Sequence, residues 1–183
     1  MQVWKFGGTS VGKPDRMKSI RNLVTEDKSR KIVVLSALSG TTNGLLAIGE
    51  AIKSHDNEAA FKAIADLKNH YQSFIEELYS TPAGLAKGQK IIDTEFDFIT
   101  SLVNINPFTI KQDKELVAQG EILSTQMFSA YLEEVGDNVV LIPALDFMLI
   151  DADNEPELGV IEEKLNHLLS KQTDKQIIVT QGF

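Results

Sequence analysis

Lys5-Phe6-Gly7-Gly8-Thr9-Ser10-Val11-Gly12 is the stretch around which the chain is organised. Val3 to Phe6 is β-branched and aromatic, which predicts a short strand. Two glycines, two hydroxyl residues and a third glycine follow. Pro14 then opens an amphipathic segment in which Met17, Ile20, Leu23 and Val24 recur at helical spacing. Proline suits the first position of a helix, where its missing N–H would have had no partner. The order is therefore strand, glycine loop, helix. Glycines let a backbone come close to an anion, and a helix N-terminus offers it N–H groups and a positive dipole end. Lys5, at the end of the strand, adds a cation. The combination reads as a phosphate site.

Gly7 to Lys13 also fits the first seven positions of a P-loop, G-x-x-x-x-G-K. In that reading Lys13 would be the phosphate lysine. The eighth position should carry a hydroxyl for Mg²⁺, and here it is Pro14. A plain tight turn would explain two glycines, but not Lys5 beside them or the Thr9-Ser10 pair.

Composition narrows the classes. The 183 residues suffice for one domain with a sizeable core. With 18 basic and 26 acidic residues the formal net charge is −8, and no basic cluster stands out, which argues against a nucleic-acid partner. Without cysteine there is no disulfide, thiolate ligand or cysteine nucleophile. The N-terminus runs straight into a strand with no signal-peptide pattern, and no apolar run approaches membrane length. A cytoplasmic location with no membrane partner is the expectation.

Further along, Lys31 to Ser36 (KIVVLS) is the kind of unbroken apolar run that suits a strand buried on both faces of a parallel sheet. The polar loop Ala37 to Asn43 follows at that strand's C-terminal end, where open α/β sheets gather their ligands. The next helix is expected from about Gly44 to His55. Residues 57–104 read as a helical hairpin broken at Thr81-Pro82-Ala83-Gly84, and another helix runs from about Lys111 to Glu134. Gly120 in its middle costs about 1 kcal/mol against alanine, which points to close packing there. Glu121 beside it is either an ordinary surface glutamate or a partly desolvated carboxylate. Asn138 to Ile142 and Phe147 to Ile150 are strand-like. Asp151 to Glu162 has the rhythm of a calcium loop, but Pro156 replaces the glycine of the sharp turn, so an acidic surface loop is the reading. His55, His70 and His167 are too scattered to suggest a metal site, so no metal ligands are assigned. A last helix and the strand QIIVT (176–180) precede Gln181-Gly182-Phe183. The whole is an α/β chain with a mainly parallel sheet. The expectation is a single, C-terminally truncated domain spanning 1–183.

These pieces together resemble one family. KFGGTSVG (5–12) resembles the N-terminal signature of the aspartokinases, and VVLSALSGTTN (33–43) is similar to their second motif. Gln119-Gly120-Glu121 with Ser124 is similar to their helix motif GE-x-x-S, and VTQGF (179–183) to the strand that leads into their substrate arginine. The match is collinear over the chain. The resemblance implies a three-layer αβα sandwich of the amino-acid kinase type with an inserted helical hairpin. It implies phosphorylation of the β-carboxylate of L-aspartate by ATP with Mg²⁺, giving 4-phospho-L-aspartate, at the start of lysine, threonine and methionine biosynthesis. Lys5 would be the catalytic, phosphoryl-stabilising lysine, and Lys5, Phe6, Gly7, Gly8, Thr9 and Ser10 would bind ATP and its phosphates. Ser36, Thr42 and Glu121 would bind aspartate, with Glu121 facing its ammonium. The family's substrate arginine, its nucleotide-binding Gly-Arg-Gly-Gly-Ser-Asp stretch and its regulatory ACT domains would lie after position 183. On that reading the fragment alone is inactive and the full-length parent is a homo-oligomer. The rival readings are another amino-acid kinase, for carbamate, glutamate or acetylglutamate, and a non-catalytic kinase-like module. No G-x-G-x-x-G follows a strand, which argues against a dinucleotide-binding oxidoreductase.

Overall fold

The computed structural model describes residues 1–153 and 155–182; Asn154 of the acidic loop and Phe183 of the closing motif lie outside the described residues. Strands β1 (Gln2–Phe6), β2 (Lys31–Leu35), β3 (Val139–Leu141) and β4 (Ile177–Gln181) form one sheet in the order β1-β2-β4-β3. Every neighbouring pair is parallel. The helices are α1 (Gly8–Val11), α2 (Pro14–Val24), α3 (Thr41–Lys53), α4 (Asn57–Leu78), α5 (Pro82–Leu102), α6 (Ile110–Glu134) and α7 (Leu158–Ser170).

Strand order decides the layers. From β1 to β2 and from β2 to β3 the chain steps across the sheet in one direction, and from β3 to β4 it steps back. Right-handed crossovers then put α2 to α6 on one face and α7 on the other. The side chains agree. Val33, Leu35, Val139, Ile177 and Val179 join the core of α2 to α6, whereas Ile32, Val34, Val140 and Ile178 pack with Ile161, Leu165 and Leu169 of α7. This is the expected three-layer αβα sandwich. The second layer stops short of β1, where Val3 is 66% exposed. Lys5 lies on the same uncovered face, in register with Val34 and Thr180.

The hairpin at 57–104 is α4 and α5, whose seam includes an edge-to-face contact of Tyr71 and Phe96 with ring centroids 5.8 Å apart. Glu134, at the end of α6, holds the start of α5: Ser80 N, Thr81 N and Thr81 Oγ1 donate to its Oε1 at 3.0, 2.7 and 2.7 Å. Thr81 is the N-cap of α5, its Oγ1 accepting from the Gly84 N–H at 3.0 Å, and the Glu134 anion fixes that cap and meets the positive end of the helix dipole. Gly84 makes room for it, since a Cβ there would stand 2.3 Å from Glu134 Oε1.

Several expected boundaries move. Gly8 to Val11 is not an open loop but one helical turn, α1, with Gly7 as its N-cap and the Ser10 and Val11 N–H groups closing on the Gly7 carbonyl. Helix α2 ends at Val24, capped by Thr25, rather than near Asp27. Helix α3 starts at Thr41 rather than Gly44, because Gly40 at φ +87° turns the chain and the Gly44 N–H bonds back to it. Phe147 to Ile150 is not a strand. A 3-10 turn at Ala144–Asp146 redirects the chain, and Ile150 makes a single antiparallel bridge with Pro156. Met148, Leu149 and Ile150 are 41%, 42% and 51% exposed, so their apolar character reflects a surface hairpin and not a buried strand.

Glu134→Ala is expected to destabilise the fold by about 1–2 kcal/mol through loss of the three hydrogen bonds that hold the Thr81 cap and of the favourable charge at the start of α5. Glu133→Ala breaks only the exposed pair with Lys87 and should cost less than about 1 kcal/mol. Urea unfolding of the two variants checks the difference.

Candidate functional site

The C-terminal ends of β1, β2 and β4 share one edge, and glycines let the segments there approach one another closely. A Cβ on Gly8 would stand 2.9 Å from the Ala37 carbonyl oxygen, and one on Gly12 would stand 2.7 Å from Ser39 Cβ. The turn after β1 therefore packs directly on the loop after β2. From the other side, α6 leans in at Gly120, where a Cβ would lie 2.7 Å from Ala37 Cβ and 3.2 Å from Thr41 Cγ2. This close approach is the physical reason for a glycine in mid-helix. At Gly182 an added Cβ would meet Val34 Cγ1 at 2.5 Å and Lys5 Cε at 3.7 Å, so the Lys5 stem runs beside the end of β4.

Ala37 is the joint. Its carbonyl touches Gly8, and its N–H donates to Glu121 Oε1 at 3.3 Å. Glu121 is thus not an ordinary surface glutamate. It is half-buried, and burial pushes its carboxyl above the usual range, with the N–H bond from Ala37 opposing that. Ser124 anchors the same helix by donating to the Ser36 carbonyl at 2.8 Å. Thr125 donates to the Glu121 carbonyl at 2.7 Å and accepts from Gln181 Nε2 at 2.6 Å. The Ala144 N–H in turn donates to Gln181 Oε1 at 2.6 Å.

The other predicted residues fall as follows. Lys5 is exposed and makes no hydrogen bond or ion pair among the described residues. Gly7 and Gly8 open α1, whose first N–H groups, by the geometry of any helix start, have no partner inside it. Phe6, Thr9 and Ser10 line an open groove of about 370 Å³ against α2, with Arg16, Ser19, Ile20 and Leu23. Arg16 Nη1 also donates to the Thr9 carbonyl at 2.6 Å, tying α1 to α2. Gly7 and Gly8 therefore belong to the edge with Ala37, while the two hydroxyls border a neighbouring groove. Ser36 is half-buried. Thr42 is exposed in the first turn of α3, whereas Thr41 is buried and its hydroxyl pairs with Tyr71 at 2.9 Å. Lys13 is exposed at the start of α2, with Pro14 after it, which is not P-loop geometry. Among the described residues no three His, Cys, Asp or Glu side chains come together as a metal cluster, and no helix is long and apolar enough to cross a membrane.

Sequence reading missed Gln181, Thr125 and Thr180. Thr180 carries a buried hydroxyl with no partner, in the same row of the sheet as Lys5. The available signal was chemical: Thr180 and Gln181 are polar residues closing an otherwise apolar buried strand.

Comparison with known proteins gives this edge a context. The model described as the amino acid kinase family matches residues 1–183, and the chain belongs to that family. Its relatives include aspartokinases. The chloroplastic aspartokinase 2 of Arabidopsis thaliana is 30% identical over 167 residues, spanning 87% of this chain and 29% of the relative. Lysine-sensitive aspartokinase 3 of Escherichia coli is 27% identical over 189 residues, spanning 99% of this chain and 40% of the relative. The crystal structure of E. coli aspartokinase III in complex with lysine and aspartate aligns with a TM-score of 0.82 at 25% identity, over 100% of this chain and 41% of that one. The complex of the same enzyme with aspartate and ADP aligns with a TM-score of 0.80 at 25% identity, over 100% and 40%. The chain thus spans less than half the length of the relatives it matches.

Burial raises the Glu121 pKa in the folded state, so the folded protein binds that proton more tightly than the unfolded chain. The resulting stability is present below the ordinary carboxylate range and lost as pH rises through the raised value. Glu121→Gln is therefore expected to raise Tm at pH 7 and to have a smaller effect at pH 4, which thermal melts at the two values check.

Proposed function

We propose that this chain supplies the aspartate-binding and phosphoryl-receiving part of an aspartate kinase, which transfers the γ-phosphoryl of ATP to the β-carboxylate of L-aspartate. The observation that carries the reading is the shared Ala37 joint, which sets the glycine turn after Lys5 and the Glu121 carboxylate against one short loop. Aspartokinase relatives, and neighbouring structures titled as complexes with aspartate and with ADP, support it.

The chemistry follows from charge. The acceptor carboxylate is already an anion at neutral pH, since its ordinary pKa is near 4, so no general base is required. The barrier is the meeting of two anions. Lys5, with no competing partner among the described residues, and the N–H groups at Gly7 and Gly8 supply positive potential for the transferring phosphoryl. Glu121 supplies the complementary anion for the substrate ammonium. That ammonium draws the Glu121 carboxyl back toward its ionised form, so substrate binding offsets the cost of burying it. Ser36 and Thr42 present hydroxyls on the same edge to the rest of the substrate. Mg²⁺ would accompany ATP as its counter-ion, while the described residues build no cluster of three His, Cys, Asp or Glu side chains to hold it.

The site is completed in this reading by further residues of a longer, homo-oligomeric parent protein, consistent with the limited share of each relative that the chain spans. Assignment to the opening of lysine, threonine and methionine biosynthesis, and to the cytoplasm, belongs to the same proposal. The plant relatives are named as chloroplastic.

In the intact protein Lys5→Ala is expected to lower kcat by about 10²–10³-fold, the typical loss of one preorganised charge-stabilising donor. Lys13→Ala should leave turnover near wild type, and the reverse result would restore the P-loop reading. Glu121→Ala should raise KM for aspartate far more than KM for ATP. A coupled ATP assay over aspartate, glutamate, carbamate and acetylglutamate measures both effects and tests the acceptor, because turnover with an acceptor other than aspartate overturns the assignment.

A further inference from the structure

We propose that Gln181 is a positioning residue for the aspartate subsite: its amide sets where Glu121 stands by tying the end of β4 both to α6 and to the turn after β3. This rests on the role given to Glu121 above.

Gln181 is 9% exposed and uses both ends of its amide. Its Nε2 donates to Thr125 Oγ1 at 2.6 Å, and its Oε1 accepts from the Ala144 N–H at 2.6 Å. Thr125 lies one helical turn beyond Glu121 and donates to the Glu121 carbonyl at 2.7 Å. The result is a continuous path from the Ala144 N–H through Gln181 and Thr125 to the backbone of Glu121.

The directions of the two hydrogen bonds made by Gln181 are dictated. A backbone N–H can only donate, so the Gln181 oxygen must face Ala144 and its NH₂ must face Thr125. The Thr125 oxygen is then an acceptor, and its own proton goes to the carbonyls of the preceding turn, Glu121 at 2.7 Å and Ile122 at 3.1 Å, the Glu121 bond being the shorter. An apolar side chain at 181 would remove the partner of the Ala144 N–H and free the Thr125 hydroxyl to rotate. Gln181 is also the last residue of β4, so it reports the position of the strand that brings Gly182 against Lys5. One amide thereby relates the Lys5 side of the edge to the Glu121 side.

A residue that merely pins a strand would, when lost, reduce stability and disturb all kinetic constants together. A positioning residue for Glu121 acts on aspartate alone. The test compares Gln181→Met, similar in length but without the amide, with Thr125→Val, the double variant and Thr125→Ser in the intact protein. Gln181→Met and Thr125→Val are each expected to raise KM for aspartate by about tenfold, with KM for ATP and kcat within about twofold of wild type. The double variant should be no worse than either single one, because both break the same path. Thr125→Ser, which keeps the hydroxyl, should restore the wild-type value. An unchanged aspartate KM in Gln181→Met, or equal shifts in both KM values and kcat, overturns the proposal.

If the wild-type protein does not phosphorylate aspartate, the functional reading fails, and the path is judged on the Ala37 amide. That N–H donates to Glu121, so Gln181→Met should shift its proton resonance upfield and speed its hydrogen exchange by about tenfold. An Ala37 amide identical to wild type in the correctly folded variant overturns the path independently of any activity.

Discussion

The close approach of three backbone segments at Ala37 underlies both the fold and the site. Alanine there is small, and its neighbours Gly8 and Gly120 carry no Cβ; added ones would stand 2.9 Å from its carbonyl oxygen and 2.7 Å from its own Cβ. Neither backbone nor Cβ can yield as the tip of a long side chain can, so α1, the loop after β2 and α6 meet only with this set of small residues. Once they meet, the Ala37 peptide serves both sides, with its carbonyl against the glycine turn and its N–H on Glu121.

That arrangement carries a cost at Glu121. Glu121 is half-buried with one backbone donor, and its carboxyl is harder to ionise for that reason. Ser124, Thr125 and Gln181 each have a partner and fasten α6 to the ends of β2 and β4. Polar residues in the interior thus hold one partly desolvated carboxylate at the rim of the sheet. Lys5 shows the complementary design. It projects from the one strand that the α7 layer does not cover, so its ammonium stays hydrated and without a competing carboxylate among the described residues.

Membership of the amino acid kinase family accounts for the three layers and the parallel sheet, and the aspartokinase structures share them across the full chain. Helices α4 and α5 brace that framework: the buried Tyr71 hydroxyl pairs with Thr41 in the first turn of α3, Glu134 joins the end of α6 to the start of α5, and Glu95 of α5 accepts from Gln126 of α6 at 2.8 Å.

Much of this was legible in one dimension. Buried parallel strands announce themselves as unbroken apolar runs, and KIVVLS and QIIVT both proved to be strands buried on two faces. The helical hairpin followed from the break at Thr81-Pro82-Ala83-Gly84, and Gly120 was a mid-helix glycine that pointed to close packing. What the chain order could not convey was which polar atoms would meet. Local turns misled at Thr41 and at Phe147 to Ile150, because the left-handed Gly40 and the 3-10 turn after Pro143 redirect the backbone over fewer residues than periodicity can resolve. The pairing of Thr41 with Tyr71, the hydrogen bond of Gln181 to Thr125 and the bond from Ala37 to Glu121 span 30 to 84 positions of sequence. Residue type and spacing determined the elements and the nature of the chemistry, since hydrophobic period and backbone permissiveness are local properties. Only the tertiary structure decided which hydroxyl, amide and carboxylate share the edge of the sheet, because desolvation and hydrogen bonding are set by whatever the packed layers bring within 3 Å or so.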